Sequence, residues 1–133
     1  MSGFLLDTDA VLRIGFDPDA ARSLAIERMA PAARHISHVS AIEMAIKRAI
    51  GKLRLPAFFD LDFAYGFSET ARQLGAETLP LQLHHIEVLS RLPLIHRDPF
   101  DRLLISQAIA ENLTIVSGDR KFAGYPGLDL LEI

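Results

Sequence analysis

The sequence contains no cysteine among its 133 residues. This absence excludes disulfide frameworks, thiolate zinc sites, iron–sulfur clusters and cysteine nucleophiles. Positive charge is also scarce, because 14 lysines and arginines stand against 17 acidic residues and leave a net charge of −3. No global basic field attracts a polyanion, so a nucleic-acid partner would have to be met by local basic patches or by a metal ion.

Long apolar runs are missing as well. No run approaches the roughly 18–20 residues of a membrane-spanning helix, and the first residues lack the pattern of a signal peptide. We therefore expect a soluble, cytoplasmic protein. Half of the 133 residues are hydrophobic, which predicts one domain, 1–133, with a sizeable core.

Strand patterns alternate with amphipathic helix patterns along the chain. The predicted strands are 3–7, 34–39, 77–81 and 114–116, with 128–133 as a further edge strand. The predicted helices are 16–30 with Asp17 as N-cap and Pro18 at the first position, 40–51 between Ser40 and Gly51, one or two helices in 55–76 broken near Gly66, 82–92, and 99–112 after Asp98. A turn is expected at Thr8–Asp9. This order predicts a three-layer α/β/α sandwich around a short parallel sheet.

Acidic residues follow the predicted strands, where the ligand site of a parallel sheet lies. Asp7 ends the first strand, and Asp9 follows it closely. The first turns of later helices contain Glu43, Asp98 and Asp101, and Asp119 follows the strand 114–116. Each has a separate structural explanation, because Glu43 has capping-box spacing from Ser40, Asp98 is a good N-cap, and Asp119 suits a turn. Those explanations do not account for the position of all these acids at the same edge of the sheet as Asp7.

Several carboxylates in one cleft repel one another unless a cation compensates them. Oxygen ligands without cysteine favour Mg²⁺ or Mn²⁺ over Zn²⁺, and such ions complete their coordination with substrate phosphate. Phosphodiester or phosphoryl chemistry is therefore expected. The five histidines, His35, His38, His84, His85 and His96, have no metal-binding spacing, so we expect surface or packing roles for them.

Four segments carry a resemblance to a known family: "LLDTDAVL", "VSAIEMAIKRAIGKL", "HRDPFDRLLISQA" and "IVSGDRKFAGY". With them the sequence resembles PIN-domain proteins, and specifically the VapC toxins of bacterial toxin–antitoxin pairs. The resemblance spans nearly the whole chain. It implies a Mg²⁺- or Mn²⁺-dependent ribonuclease that is inhibited by a small VapB-like antitoxin, whose C-terminal segment enters the active-site groove.

The resemblance also implies roles for individual residues. The four family acids match Asp7, Glu43, Asp101 and Asp119, and Ser117 stands at the small hydroxyl position before the last. They would hold one or two metal ions for hydrolysis. Asp98 is an additional acid that caps, ligates through water, or both. Asp9 departs from the usual Ser, Asn or His, and it adds a metal ligand, alters the contact with the inhibitor, or caps a helix. Thr8 is expected to be a cap rather than a nucleophile.

Basic residues flank these acids in sequence. Arg97, Arg102, Arg120 and Lys121 are either contacts to the RNA backbone or ordinary solvated charges, and Lys47 and Lys52 are further candidates for the groove. Helices in the region 55–74 are candidates for the antitoxin groove or for a homodimer contact.

Two other interpretations compete with the ribonuclease. The opening also fits haloacid-dehalogenase-like phosphatases that use Asp7 and Asp9, although that chemistry needs a later acidic pair, and "SGDRKFAGY" offers Asp119 alone. The third interpretation is a non-catalytic PIN-like binding domain, which normally has lost the acids that this chain retains.

Overall fold

The computed structural model describes residues 3–16, 27–29 and 33–133. Five strands lie in this part of the chain: β1 Phe4–Leu6, β2 Arg34–Ser37, β3 Ala76–Leu79, β4 Thr114–Ser117 and β5 Asp129–Glu132. Its longer helices are α1 Thr8–Phe16, α2 His38–Ala49, α3 Phe63–Leu74, α4 Leu83–Arg91 and α5 Pro99–Glu111, with 3₁₀ turns at Ala57–Phe59 and Arg120–Gly124. Residues 27–29 are helical, whereas most of the predicted helix 16–30, including its proposed cap Asp17, lies outside the described residues.

The five strands form one parallel sheet in the order β3-β2-β1-β4-β5. Leu6 of the central strand β1 lies between Ile36 of β2 and Val116 of β4. The predicted parallel α/β architecture is confirmed, and so is the C-terminal edge strand, because β5 pairs with β4. The carboxyl ends of β1, β2 and β4 therefore meet at one edge of the sheet.

Separate apolar cores cover the two faces of the sheet. Successive side chains of a strand point to opposite faces, so Phe4 and Leu6 pack with residues of α1 and α3 on one side. Leu5 packs on the other side with residues of α5. These two cores give the three predicted layers. None of the described helices is long and apolar enough to cross a membrane.

The start of α2 differs from the prediction that Ser40 caps this helix. The N-cap is Ser37, whose hydroxyl accepts a hydrogen bond from the Val39 amide at 2.9 Å. Ser40 is buried inside the helix instead. Both serines suit an N-cap, and β2 ends early enough for the first one to take that position. Glu43 consequently lies beyond the first turn, so the proposed capping box with Ser40 is wrong.

The predicted break near Gly66 is also wrong. Helix α3 runs without interruption from Phe63 to Leu74, and Asp62 caps it by accepting from the Ala64 amide at 2.8 Å. A Cβ at Gly66 would lie 2.5 Å from the ring of Phe59. Glycine is present here because an aromatic ring packs directly on the helix backbone, and it does not mark a turn.

Candidate active site

A single cleft at the carboxyl edge of the sheet collects the acidic side chains, and its volume is about 440 Å³. The acids that line it are Asp7, Asp9, Glu43, Asp98, Asp101 and Asp119. The structure thus brings together all six acidic residues that the sequence placed at this edge. Lys47, Arg120 and Phe122 complete much of the remaining wall.

Asp7 occupies the centre of the site, directly after β1. Its Oδ1 accepts from the Ala10 amide at 2.7 Å and so caps α1, while its Oδ2 accepts from the Ser117 hydroxyl at 2.5 Å. The predicted turn at Thr8–Asp9 is therefore wrong, because the helix begins at Thr8 itself. Thr8 is not the cap either, since its hydroxyl is buried and donates to Ser40 Oγ at 3.0 Å.

Burial dominates the ionisation of Asp7, which is only 3% exposed. It raises the pKa of the carboxyl from 3.8 to about 6, although the hydrogen bonds from Ser117 and Ala10 oppose the shift. The neighbouring charges of Asp9 and Glu43 raise this pKa further. Two hydrogen-bond donors thus hold the Asp7 carboxyl in place. They do not fully compensate its burial and the negative charges of the neighbouring acids.

Asp98 and Asp101 enter the cleft from the first turn of α5. Asp98 is the N-cap, as predicted, and accepts from the amides of Phe100 and Asp101 at 2.9 and 3.0 Å. Burial raises the pKa of Asp101 from 3.8 to about 7. The charges of Asp98, Glu43, Asp7 and Asp119 add to that increase in the pKa of Asp101.

His96 is a site residue that the sequence did not indicate. Its Nε2 lies 3.0 Å from Asp101 Oδ2 and 3.8 Å from Asp119 Oδ2, and its ring packs edge-on against Phe122 at 5.7 Å. Residue spacing alone gives no signal for this contact, because the irregular segment before α5 determines where the ring points. The expected packing or surface role must therefore be extended to a contact with two acids of the cleft.

Glu43 is the acid with an incompletely satisfied side chain. The residue is 5% exposed, and its Oε2 accepts from Lys47 Nζ at 2.6 Å. Its buried Oε1 has no hydrogen-bond partner in the part of the chain that the structure describes. Buried polar atoms are normally paired, and an orphaned one often marks a bound ion or water. Together with the raised pKa values of Asp7 and Asp101, this atom fits a site for a hard divalent cation.

Asp9 lies in the first turn of α1 and does not cap it. Its carboxylate is 59% exposed and reaches Arg13 Nη1 at 3.5 Å, while the residue also lines the cleft. The cap interpretation of Asp9 is therefore wrong, because Asp7 performs that role.

We expect Asp9→Asn to weaken Mn²⁺ binding by roughly two- to fivefold and to leave the melting temperature nearly unchanged. An exposed, solvent-screened charge contributes about 0.2–1 kcal/mol to an ion pair. Isothermal titration of Mn²⁺ into both proteins measures the difference. A loss well above tenfold would contradict this expectation and make Asp9 a direct ligand.

The basic residues near the acids differ in position. Arg120 lines the cleft, but its guanidinium is exposed and donates to Glu132 at 2.8 Å. Arg102 donates to the carbonyl oxygens of Leu92, Pro93 and His96, so it fastens the segment before α5. Arg97 lines a separate apolar pocket.

A second group of ionisable side chains, His84, His85 and Glu111, lies away from the cleft. Both histidine Nε2 atoms approach Glu111 Oε2, at 2.6 and 2.8 Å. His85 is fully buried, and its Nδ1 accepts from the Gln82 amide at 3.0 Å, so the proton of neutral His85 is on Nε2. This cluster joins the start of α4 to the end of α5 and agrees with the expected packing role for His85.

The parallel sheet and the site together place this chain among α/β proteins that have an acidic cleft at the carboxyl edge of the sheet. The chain matches the PIN domain family over residues 4–128 and therefore belongs to that family. Among curated protein sequences, no relative matches it significantly.

Solved structures share the fold at low sequence identity. VapBC2 from Rickettsia felis, bound to a DNA fragment from its promoter, is 19% identical with a TM-score of 0.72 and 97% of both chains covered. DNA-bound VapBC from Salmonella typhimurium is 20% identical, with a TM-score of 0.69 and coverage of 99% and 98%. VapBC-5 from Mycobacterium tuberculosis is 17% identical, with a TM-score of 0.61 and full coverage of both chains. These likenesses establish the fold.

Proposed function

We propose that residues 1–133 form a single PIN-like domain that acts as a metal-dependent endoribonuclease, the toxin of a VapBC-like toxin–antitoxin pair. The observation that carries this proposal is the convergence of six carboxylates in one cleft, one of them with a buried oxygen that has no hydrogen-bond partner among the described residues. PIN-family membership and the likeness of the fold to VapBC proteins support the reaction class. The choice of RNA rests on the resemblance of the sequence motifs.

The proposed ligands of Mg²⁺ or Mn²⁺ are Asp7 and Asp101, with Asp119 and Glu43 as further ligands or as acceptors for bound water. When bound, such a cation polarises a phosphodiester, activates water and stabilises the leaving oxygen. Asp98 and Asp9 contribute negative charge at the rim of the cleft.

Supporting residues keep these acids in place. Ser117 donates to Asp7 and accepts from the Asp119 amide at 2.9 Å, so one hydroxyl fixes the positions of two acids. His96 lies against Asp101 and Asp119 from the side of Phe122. Thr8 does not act as a nucleophile in this proposal, since its hydroxyl is committed to Ser40. Outer contacts of this kind typically change metal affinity or activity by roughly 10–100-fold.

The proposed protein partners are a VapB-like antitoxin and a second copy of the chain, in the cytoplasm. Within the region 55–74, Leu61 is 88% exposed and Tyr65 is 52% exposed. Residues of α2 and α3, among them Ile42, Phe63 and Phe67, also line an apolar groove. Exposed apolar surface of this kind is typical of protein interaction sites.

Incubation of the purified protein with structured RNA tests the activity directly. We expect cleavage with Mg²⁺ or Mn²⁺ and none with excess EDTA, because the acids alone repel the phosphate backbone. RNA binding without cleavage under all metal conditions would favour the non-catalytic PIN-like domain. A covalent phosphate on Asp7 after incubation with a phosphomonoester would instead support the haloacid-dehalogenase-like phosphatase.

A further inference from the structure

Lys47 places a positive charge among the acids of the cleft. It follows Glu43 by one helical turn on α2, and its Nζ lies 2.6 Å from Glu43 Oε2. The two side chains differ in burial, since that of Glu43 is 6% exposed and that of Lys47 is 45% exposed. The carboxylate is thus anchored inside the protein while the ammonium group stands at the mouth of the cleft.

The other basic residue that lines the described cleft is placed differently. The side chain of Arg120 is 85% exposed and bonds to Glu132 on the edge strand β5. Lys47 lines the same cleft as Asp98 and Asp101 and contacts Glu43 directly. Its ammonium group therefore partly compensates acids from two helices.

We propose that Lys47 is a built-in cation of this cleft, which neutralises Glu43 in the metal-free protein and contacts a phosphate oxygen of the bound RNA strand when the metal is present. An ammonium group has three N–H donors, and the contact with Glu43 uses one of them. A divalent cation at the acids competes with Lys47 for the same negative charge. The flexible stem of lysine lets the group turn outward to an anion in the cleft.

This inference rests on the proposed function and predicts two opposite effects of Lys47→Met. Loss of a competing cation should tighten Mn²⁺ binding several-fold, because like charges within a few ångströms repel. Loss of a phosphate contact should weaken RNA binding and reduce the slope of log K against log salt concentration by about 0.7, the value for one contact to a single strand.

The experiment uses the full chain at about pH 8 and low ionic strength, where surface charges are weakly screened. Mn²⁺ affinity is measured by calorimetry, and affinity for a short RNA is measured by fluorescence anisotropy with Mn²⁺ present, at times when electrophoresis shows that the RNA is still intact. Arg91→Met is the matched control, since Arg91 also pairs with an acid one helical turn earlier, Glu87, but is exposed on α4 and does not line the cleft. Lys47→Arg keeps the charge and should retain RNA binding. Thermal melts establish that each variant is folded.

The outcomes separate this inference from the proposed function. Tighter Mn²⁺ binding and weaker RNA binding in Lys47→Met, with neither in Arg91→Met, support it. Unchanged or weaker Mn²⁺ binding overturns it, and so does an unchanged RNA affinity and salt slope. If the wild type itself binds no Mn²⁺, the proposed function fails and this inference fails with it, whereas normal wild-type binding with unaltered Lys47→Met values overturns this inference alone.

Discussion

Asp101→Asn is expected to reduce metal-dependent RNA cleavage on the order of 10³-fold while stabilising the metal-free protein. Loss of an outer-shell contact already costs roughly 10–100-fold at a metal site, so the loss of a direct ligand should cost more. Asn keeps the size and one oxygen of Asp101 but removes the charge that the cation needs. Cleavage is measured under single-turnover conditions with saturating Mn²⁺.

The metal-free protein should become more stable in Asp101→Asn, although its activity falls. Burial and four neighbouring acids raise the pKa of Asp101 to about 7, so ionised Asp101 is unfavourable in the folded, metal-free protein. Replacing it with a neutral side chain removes that cost. Because about 1 kcal/mol corresponds to roughly 3–5 °C for a chain of this size, we expect a rise of several degrees in melting temperature at about pH 8.

A matched substitution outside the cleft shows whether the effect of Asp101→Asn depends on its position or only on the loss of one acidic residue. Asp129 is exposed on β5, outside the cleft, and Asp129→Asn should change neither cleavage nor metal-free stability appreciably. Asp7→Asn should lose activity in the same way as Asp101→Asn, and Asn is a good helix cap, so α1 should be preserved. Full cleavage by both cleft variants would contradict the proposed ligand set.

Much of the site could be predicted because strand ends in a parallel sheet share an edge. Asp7 is the first residue after β1, and Asp98 caps α5 with Pro99 behind it, so local sequence signals placed both correctly. These signals act over three or four residues and need no knowledge of tertiary packing. The convergence of the acids then followed from topology alone.

The errors arose where tertiary contacts decide between equivalent local signals. Ser37 and Ser40 are both suitable caps, and Ser37 is used because β2 ends there while Ser40 accepts a hydrogen bond from Thr8. Gly66 resembles a helix break in sequence, but the ring of Phe59 fills the space of its missing side chain. His96 reaches the acids through an irregular segment that Arg102 fastens, and no periodic pattern describes such a segment.

The metal-free protein should lose stability as the pH rises from about 5 to about 8, and a divalent cation should restore it. The folded protein raises the pKa of Asp7 to about 6 and that of Asp101 to about 7, above the ordinary value of 3.8. The folded state thus binds protons more tightly than the unfolded state. Their contribution to stability is fully present below about pH 4 and is lost as the pH passes through these raised pKa values.

The expected loss is on the order of 2–4 kcal/mol, since one pKa unit corresponds to about 1.4 kcal/mol and the two acids are coupled. Mg²⁺ or Mn²⁺ binds the ionised carboxylates, so the cation should raise the melting temperature strongly at about pH 8 and weakly at about pH 5. Its binding should also release protons near pH 6. Calorimetry in two buffers of different ionisation enthalpy measures that release.

Asp101→Asn provides the internal control for this pH dependence. The His84–His85–Glu111 cluster also contains titratable groups, but it is present in both proteins, so its contribution cancels in the comparison. The variant should show a flatter dependence of melting temperature on pH between about 5 and 8 and a smaller stabilisation by Mn²⁺. Equal pH profiles for the two proteins would show that the acids of the cleft do not carry the uncompensated charge inferred from their burial.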